Sequence, residues 1–397
     1  MSKFMRDPEL EQLVRTLNGS GEAASAGSKE LAGLERAPGV PMSRDAVDRW
    51  LARMLREGAT DLHLVAGTPA VMRVNGELRF VDDAPVTESL IRDLLPGSRN
   101  LAAELAAKGS IDLALAASVD DDDRRGFRFR VNVHLQRGAL AAAVRVLPTR
   151  IPTLAQLQLP ASLTELTRPS RGLVLVCGPT GCGKSTTMAA LIDEINRRDA
   201  RHVITIEDPL EYDHANRRSL VEQIEIGKDA PSYAAALRSA LRQDPDVILV
   251  GEIRDAETMS MALTAAETGH LILSTLHTTT PAQTIHRIVD LYPAAQQGQI
   301  YKQAALSLHA ILNQKLVPRA GGRGVVPAVE LLLMTHAVRN QIRNAKLEGL
   351  ANEIVLGKRL GMISFDDSLR ALAAAGLIAA DEAFARANDP DDLRSVL

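Results

Sequence analysis

Gly178-Pro179-Thr180-Gly181-Cys182-Gly183-Lys184-Ser185-Thr186 is the stretch whose reading decides the fold. It fits the phosphate-loop pattern G-x-x-x-x-G-K-[ST] at every fixed position. The apolar run Leu173-Val174-Leu175-Val176-Cys177 before it has the character of a buried parallel strand. The segment after it, Thr186 to Arg198, has helical composition, with Ala189, Ala190, Leu191 and Ile195. The glycines therefore stand where a strand turns sharply into a helix. Lacking Cβ atoms, they let backbone N–H groups close around phosphates. Lys184 would neutralise β/γ-phosphate charge, and Ser185 would place its hydroxyl on Mg²⁺. The stretch implies a nucleoside triphosphate.

Composition sets the outer bounds. At 397 residues the chain has room for about two or three domains with real cores. A net charge of −3 gives no global basic field for holding nucleic acid. Cys177 and Cys182 are the two cysteines, too few for a tetrathiolate zinc site, and a disulfide between them would distort the phosphate cradle. Free thiols in a reducing cytoplasm are expected. The N-terminus lacks the apolar core of a signal peptide, and the longest uncharged apolar run, Ala371 to Ala380, is far short of a membrane span. Work at a membrane would then require docking on partners.

Residues 1–41 carry a short amphipathic piece (Leu10, Leu13, Val14, Leu17) followed by a Gly/Ser/Ala-rich run, and are expected to be a flexible extension. From 42 to 147 the text reads as an α+β domain. A helix carries Val47, Trp50, Leu51, Met54 and Leu55, and a strand runs over Asp61–Val65. A hairpin turns at Asn75-Gly76, a helix spans about 87–95, and two long strands follow, 126–135 and 138–147. Asp120 to Asp123 reads as a solvated hairpin tip. Prolines 148, 152 and 160 suggest a stiff linker over 148–170. From 171 to 397, strands at 173–177, 202–206, 247–251 and 271–275 alternate with helices, the pattern of a doubly wound parallel sheet. Beyond about 294 the chain is expected to be mainly helical, with a short strand pair near 315–318 and 325–332.

Three further segments are expected at the C-terminal ends of those strands, the edge where an open α/β sheet places its ligand. Ile204-Thr-Ile-Glu207-Asp208-Pro209-Leu-Glu211-Tyr212 offers adjacent acids suited to orienting water or metal. Leu241-Arg242-Gln-Asp244-Pro-Asp246-Val-Ile-Leu-Val-Gly251-Glu252-Ile-Arg254-Asp255 delivers Glu252 where a Walker B strand usually delivers Asp. Glu252 must then hold Mg²⁺, directly or through water, or polarise the attacking water. Gly269-His270-Leu-Ile-Leu-Ser-Thr275-Leu-His277-Thr278 flanks one strand with two histidines, candidates for sensing the γ-phosphate.

Together these segments resemble the secretion ATPases of type II secretion and type IV pili, and within them the PilT and PilU group of retraction motors, from about residue 45 to the C-terminus. The resemblance implies a PAS-like N-terminal domain, a RecA-like ATPase domain and a homo-hexameric ring. It implies ATP hydrolysis driving pilus disassembly at the cytoplasmic face of the inner membrane, docked on an inner-membrane platform protein. It assigns Lys184 and Ser185 to the nucleotide, Glu207 to the acidic box, Glu252 to catalysis, and His270 and His277 to the histidine box. It further implies that Arg130 and Arg145 reach the triphosphate, a task suited to a permanently charged, forked cation. Ala337-Val-Arg-Asn-Gln-Ile-Arg343 is similar to the Ala-Ile-Arg-Asn-Leu-Ile-Arg signature of PilT. Arg339, Asn340 and Arg343 are thus expected to share an exposed coupling face opposite Val338 and Ile342. The C-terminal Asn388-Asp-Pro-Asp-Asp-Leu-Arg looks more like PilU. A motor in its own right, an accessory ATPase acting with a second retraction motor, and a related secretion or pilus-assembly ATPase all stay open. A RecA-like DNA-binding ATPase is disfavoured by the acidic balance and scarce aromatics.

Overall fold

The computed structural model describes residues 44–74, 77–94, 105, 107–117, 127–147, 150–322 and 324–396. The expected extension over residues 1–41, the Asn75-Gly76 turn and the acidic tip at Asp120–Asp123 lie outside the described residues. The chain divides between Thr149 and Arg150 into two compact units.

The N-terminal unit is a sheet in the order β3-β2-β1-β6-β5-β4, antiparallel at every pairing. Its strands are β1 Ala59–Val65, β2 Pro69–Val74, β3 Glu77–Pro85, β4 Ser110–Ala117, β5 Phe127–Gln136 and β6 Ala139–Leu147. Alternation along β5 sends Phe129, Val131 and Val133 inward and leaves Arg128, Arg130, Asn132 and His134 on the other face. The inward face packs against helices α1 (Arg44–Arg56) and α2 (Glu88–Asp93) through Trp50, Leu51, Met54, Leu90 and Ile91. β4 departs from expectation. Its text, Ser-Ile-Asp-Leu-Ala-Leu-Ala-Ala, is rich in good helix formers, and pairing with β5 overrides that preference.

The C-terminal unit is a doubly wound sheet in the order β13-β12-β7-β11-β10-β8-β9, parallel except for β13. β7 (Gly172–Cys177), β8 (His202–Glu207), β10 (Val247–Val250) and β11 (Leu271–Leu276) match the expected strands. So do the connecting helices α3 (Lys184–Arg198), α4 (Tyr233–Ala240), α5 (Ala256–Glu267) and α6 (Pro281–Val289). β7, β10 and β11 are buried at every position, which is why they read as unbroken apolar runs. Cores form on both faces of the sheet.

Two expectations change here, and one strand is added. β9 (Leu220–Glu225), whose two glutamates hide its strand character, is an edge strand beside β8 and needs cover on only one side. The supposed short pair beyond 294 is a long hairpin: β12 (Leu308–Pro318) lies parallel to β7, and β13 (Val325–Leu333) closes that edge. The segment read as a stiff linker packs as part of this unit. Leu154, Leu159, Leu163 and Leu166, the last two on the 3₁₀ turn Ala161–Thr167, join the core under α3. Helices α7 (Ala294–Ser307), α8 (His336–Arg343), α9 (Leu350–Leu356), α10 (Phe365–Ala374), α11 (Ala380–Arg386) and α12 (Pro390–Val396) complete the unit.

Candidate active site at the phosphate loop

The loop between β7 and α3 is tightly determined. Gly178, Gly181 and Gly183 have φ of 149°, 77° and 87°, all in the region that favours glycine. Space adds a second demand at Gly178: a Cβ there would stand 2.3 Å from the Gln314 carbonyl oxygen and 2.6 Å from Cys182 Sγ. Pro179, Thr180, Gly181 and Ser185 face solvent, while Cys182 is buried. Burial pushes the Cys177 thiol up to about 11 and raises Cys182 as well, so both free cysteines stay protonated fillers. The Lys184 ammonium donates to the carbonyls of Gly178 at 2.9 Å and Pro179 at 3.1 Å, bending back along the loop. Thr186 accepts a 3.0 Å hydrogen bond from the Tyr212 hydroxyl, which ties the acidic-box segment to α3.

Sheet register brings the other stations to the same edge. Cys177 pairs with Leu276, and Val250 pairs with both Ser274 and Ile206. Glu207, Glu252 and His277 therefore emerge at or just beyond the carboxyl ends of adjacent strands. His277 Nε2 lies 3.2 Å from Glu252 Oε1, and its Nδ1 lies 3.5 Å from Lys184 Nζ. On its other side Glu252 accepts from Arg254, at 2.9 Å from Nε and 2.7 Å from a terminal nitrogen. Partial burial works to raise the Glu252 pKa. The Arg254 hydrogen bonds and the charges of Arg254 and Lys184 outweigh it and hold the carboxyl below its usual range. Glu207 goes the opposite way: burial, aided by the Glu211 charge, pushes it up to about 7. Two acids on neighbouring strands thus differ in protonation near neutral pH, the separation that acid and base roles need.

Some expected residues are elsewhere. His270 precedes β11, at the end where Leu271 pairs with Gly172, and its ring contacts the Ala265 carbonyl at 3.0 Å. That is the opposite edge of the sheet, roughly 20 Å along the strand from His277. His270 therefore holds the end of α5 and stands away from the phosphate loop of its own chain. Arg339 is also not the free surface arginine expected of it. Its guanidinium donates to the carbonyls of Ala305, Leu306 and Met334, the Leu306 bond being 2.9 Å. Asn340 and Arg343 are exposed as expected. Arg130 and Arg145 are cross-strand partners in the N-terminal unit. Arg145 donates to Asp61 at 2.8 Å and Arg130 lies 3.6 Å from Asp112. Arg254 and Gln314 make contacts at this edge that the motif reading passed over. Arg254 lies within the Glu252 segment with no role of its own in that reading, and Gln314 sits on a strand that begins at Leu308, earlier than the pattern near 315–318 suggests.

A glycine-lined loop between a parallel strand and a helix, with a buried lysine and strand-end acids, defines a phosphate-loop ATPase of the RecA-like kind. The chain belongs to the Type II/IV secretion system protein family, whose model matches residues 39–326. It is 40% identical over 342 residues to the type IV pilus retraction ATPase PilT of Pseudomonas aeruginosa, covering 86% of this chain and 98% of that protein. It is 38% identical over 353 residues to the type IV pilus ATPase PilU of the same organism, covering 88% and 91%. The crystal structure of the pilus retraction motor PilT with bound ADP superimposes with a TM-score of 0.79 at 42% identity, over 88% of this chain and 99% of that one.

Proposed function

We propose that this chain is the ATP-hydrolysing motor of type IV pilus retraction, acting as a homo-hexamer at the cytoplasmic face of the inner membrane. The observation that carries the catalytic part is the contact chain Lys184–His277–Glu252–Arg254 at the mouth of the phosphate loop. Lys184 turns from its loop carbonyls to the β/γ-phosphates, and the N–H groups of the loop and of the start of α3 take the phosphate oxygens. Glu252, held ionised, orients the attacking water and accepts its proton. His277 hydrogen-bonds that carboxylate and keeps it aimed at the water. Ser185, exposed in the first turn of α3, and the ionised Glu252 suit Mg²⁺, which accepts one or two protein oxygens and keeps its remaining places for phosphate and water. When bound, the ion would neutralise charge developing on the phosphates.

Closed rings come from heterologous interfaces, and Arg130 and Arg145 are the candidates to reach a neighbouring copy's triphosphate. No helix among the described residues is long and apolar enough to cross a membrane, so contact with the membrane would run through an inner-membrane platform partner. The likeness to PilU supports a second reading, an accessory ATPase working with another motor. Turnover by the purified chain separates the two, since an independent motor hydrolyses ATP alone. In a deletion strain, loss of twitching with retained surface pili supports retraction. Loss of the pili themselves points to an assembly ATPase instead.

A further inference from the structure

We propose that Gln314, on β12, is the positioning residue of the phosphate loop, setting nucleotide affinity without touching the reacting atoms. Gln314 is 2% exposed and lies opposite the loop from the adjacent strand. Its Nε2 donates to the Cys182 carbonyl at 2.6 Å, and its Oε1 accepts from the Thr187 hydroxyl at 2.8 Å. A trans peptide holds its C=O and the following N–H in one plane, pointing in opposite directions. Fixing the Cys182 carbonyl against β12 therefore turns the Gly183 N–H the other way, into the concavity that receives phosphate. The Cys182 carbonyl, which can only accept, fixes which end of the amide faces it, since a flipped amide would set oxygen against oxygen. The Thr187 hydroxyl, able to donate or accept, then donates to the oxygen end and holds the side chain in place. Backbone packing reinforces the contact, since a Cβ on Gly183 would come 3.0 Å from Nε2 and one on Gly178 would strike the Gln314 carbonyl. The loop is thus held in its binding form before nucleotide arrives, which is where preorganisation raises affinity.

The inference rests on the ATPase reading, and the test separates the two. Using the full chain, ADP affinity, ATP KM, kcat and thermal midpoint are measured for wild type, Gln314→Met and Thr187→Val. Loss of the buried hydrogen bond should raise KM and the ADP Kd about tenfold in Gln314→Met and less in Thr187→Val. Maximal turnover should stay within about threefold, because the water-activating groups are untouched. In the double variant the two effects should not add. Unchanged KM and ADP Kd in both single variants, or a fall in kcat at constant KM that tracks a lowered thermal midpoint, would overturn the positioning role. A wild-type chain that binds no ADP would overturn the nucleotide reading and this one with it.

Discussion

His277 Nε2 stands 3.2 Å from Glu252 Oε1 while Nδ1 of the same ring faces the Lys184 ammonium at 3.5 Å. A ring between a cation and a carboxylate is best served by the tautomer that accepts at Nδ1 and donates from Nε2. His277 then links the phosphate-binding lysine to the base. Glu252→Gln keeps the shape but loses the charge, so ATP binding should persist while turnover falls at least about a hundredfold. Lys184→Ala should instead lose triphosphate affinity. His277→Ala should lower kcat about tenfold with little change in KM, as expected for a group that aims the base. Steady-state hydrolysis with a nucleotide-binding assay checks all three, and wild-type turnover in Glu252→Gln would remove Glu252 from the chemistry.

His270 provides the contrast. It was paired with His277 by sequence, yet its ring serves the Ala265 carbonyl at the far edge of the sheet. His270→Ala should leave kcat and KM within about twofold and cost on the order of 1 kcal/mol of stability through the lost hydrogen bond. A fall in turnover as large as that of His277→Ala, with the thermal midpoint unchanged, would return His270 to the site.

How much of this was legible depended on how directly a residue's role follows from its local text. The phosphate loop, Glu207 and Glu252 could be read because strand, turn and acid are contiguous, and buried strands such as Val247–Val250 announce themselves by composition. The two histidines share a strand, but sequence does not say which end meets the ligand; the parallel pairing of β11 with β7 decides it. Gln314 and Arg339 act on backbone carbonyls distant in sequence, Cys182 for the first and Ala305 and Leu306 for the second. Such contacts leave no spacing pattern. β4 and β9 were hidden because alanine and glutamate are poor strand markers when the partner strand is unknown.

Two half-buried carboxyls, Glu207 and Glu330, contribute to the pH response of the C-terminal unit. Burial lifts Glu207 to about 7, and it lifts Glu330 to about 7 despite the nearby Lys315 ammonium. Each native carboxyl binds a proton in the window from its ordinary 4.5 up to about 7, where the unfolded chain has released it. Their contribution is therefore full below the lower limit and lost as pH rises through the upper one. Burial lowers the His214 imidazole to about 4, which works the other way below about 6.5. In denaturant unfolding the carboxyl share is therefore read as the difference between wild type and Glu330→Gln, roughly 1–3 kcal/mol lost from pH 5 to pH 8. Glu330→Gln should remove its share of the slope while leaving hydrolysis intact. A stability profile that Glu330→Gln leaves unchanged over that window would contradict the raised Glu330 carboxyl.

Arg339 yields the prediction that departs most from the sequence reading, in which Arg339, Asn340 and Arg343 form one free coupling face. The Arg339 guanidinium donates to the Ala305 and Leu306 carbonyls in the last turn of α7 and, through Nε, to the Met334 carbonyl at 3.2 Å. Carbonyls at a helix end are unpaired within the helix, and a cation there both satisfies them and complements the helix dipole. Burial lowers the Arg339 pKa, and the Arg343 charge adds to this; even so, a guanidinium keeps its proton. Arg339→Ala should therefore destabilise the C-terminal unit by roughly 1–3 kcal/mol, the range for hydrogen bonds to a charged group. Arg339→Lys should recover only part of that, because an ammonium cannot fork across the same carbonyls. Arg343 and Asn340 are exposed, and alanine at both should change stability by less than about 0.5 kcal/mol. These two residues then carry whatever coupling role the helix has. Asn340→Ala with Arg343→Ala should retain hydrolysis and impair twitching. Twitching at the wild-type rate in that double variant would leave α8 a structural helix pinned by Arg339 alone.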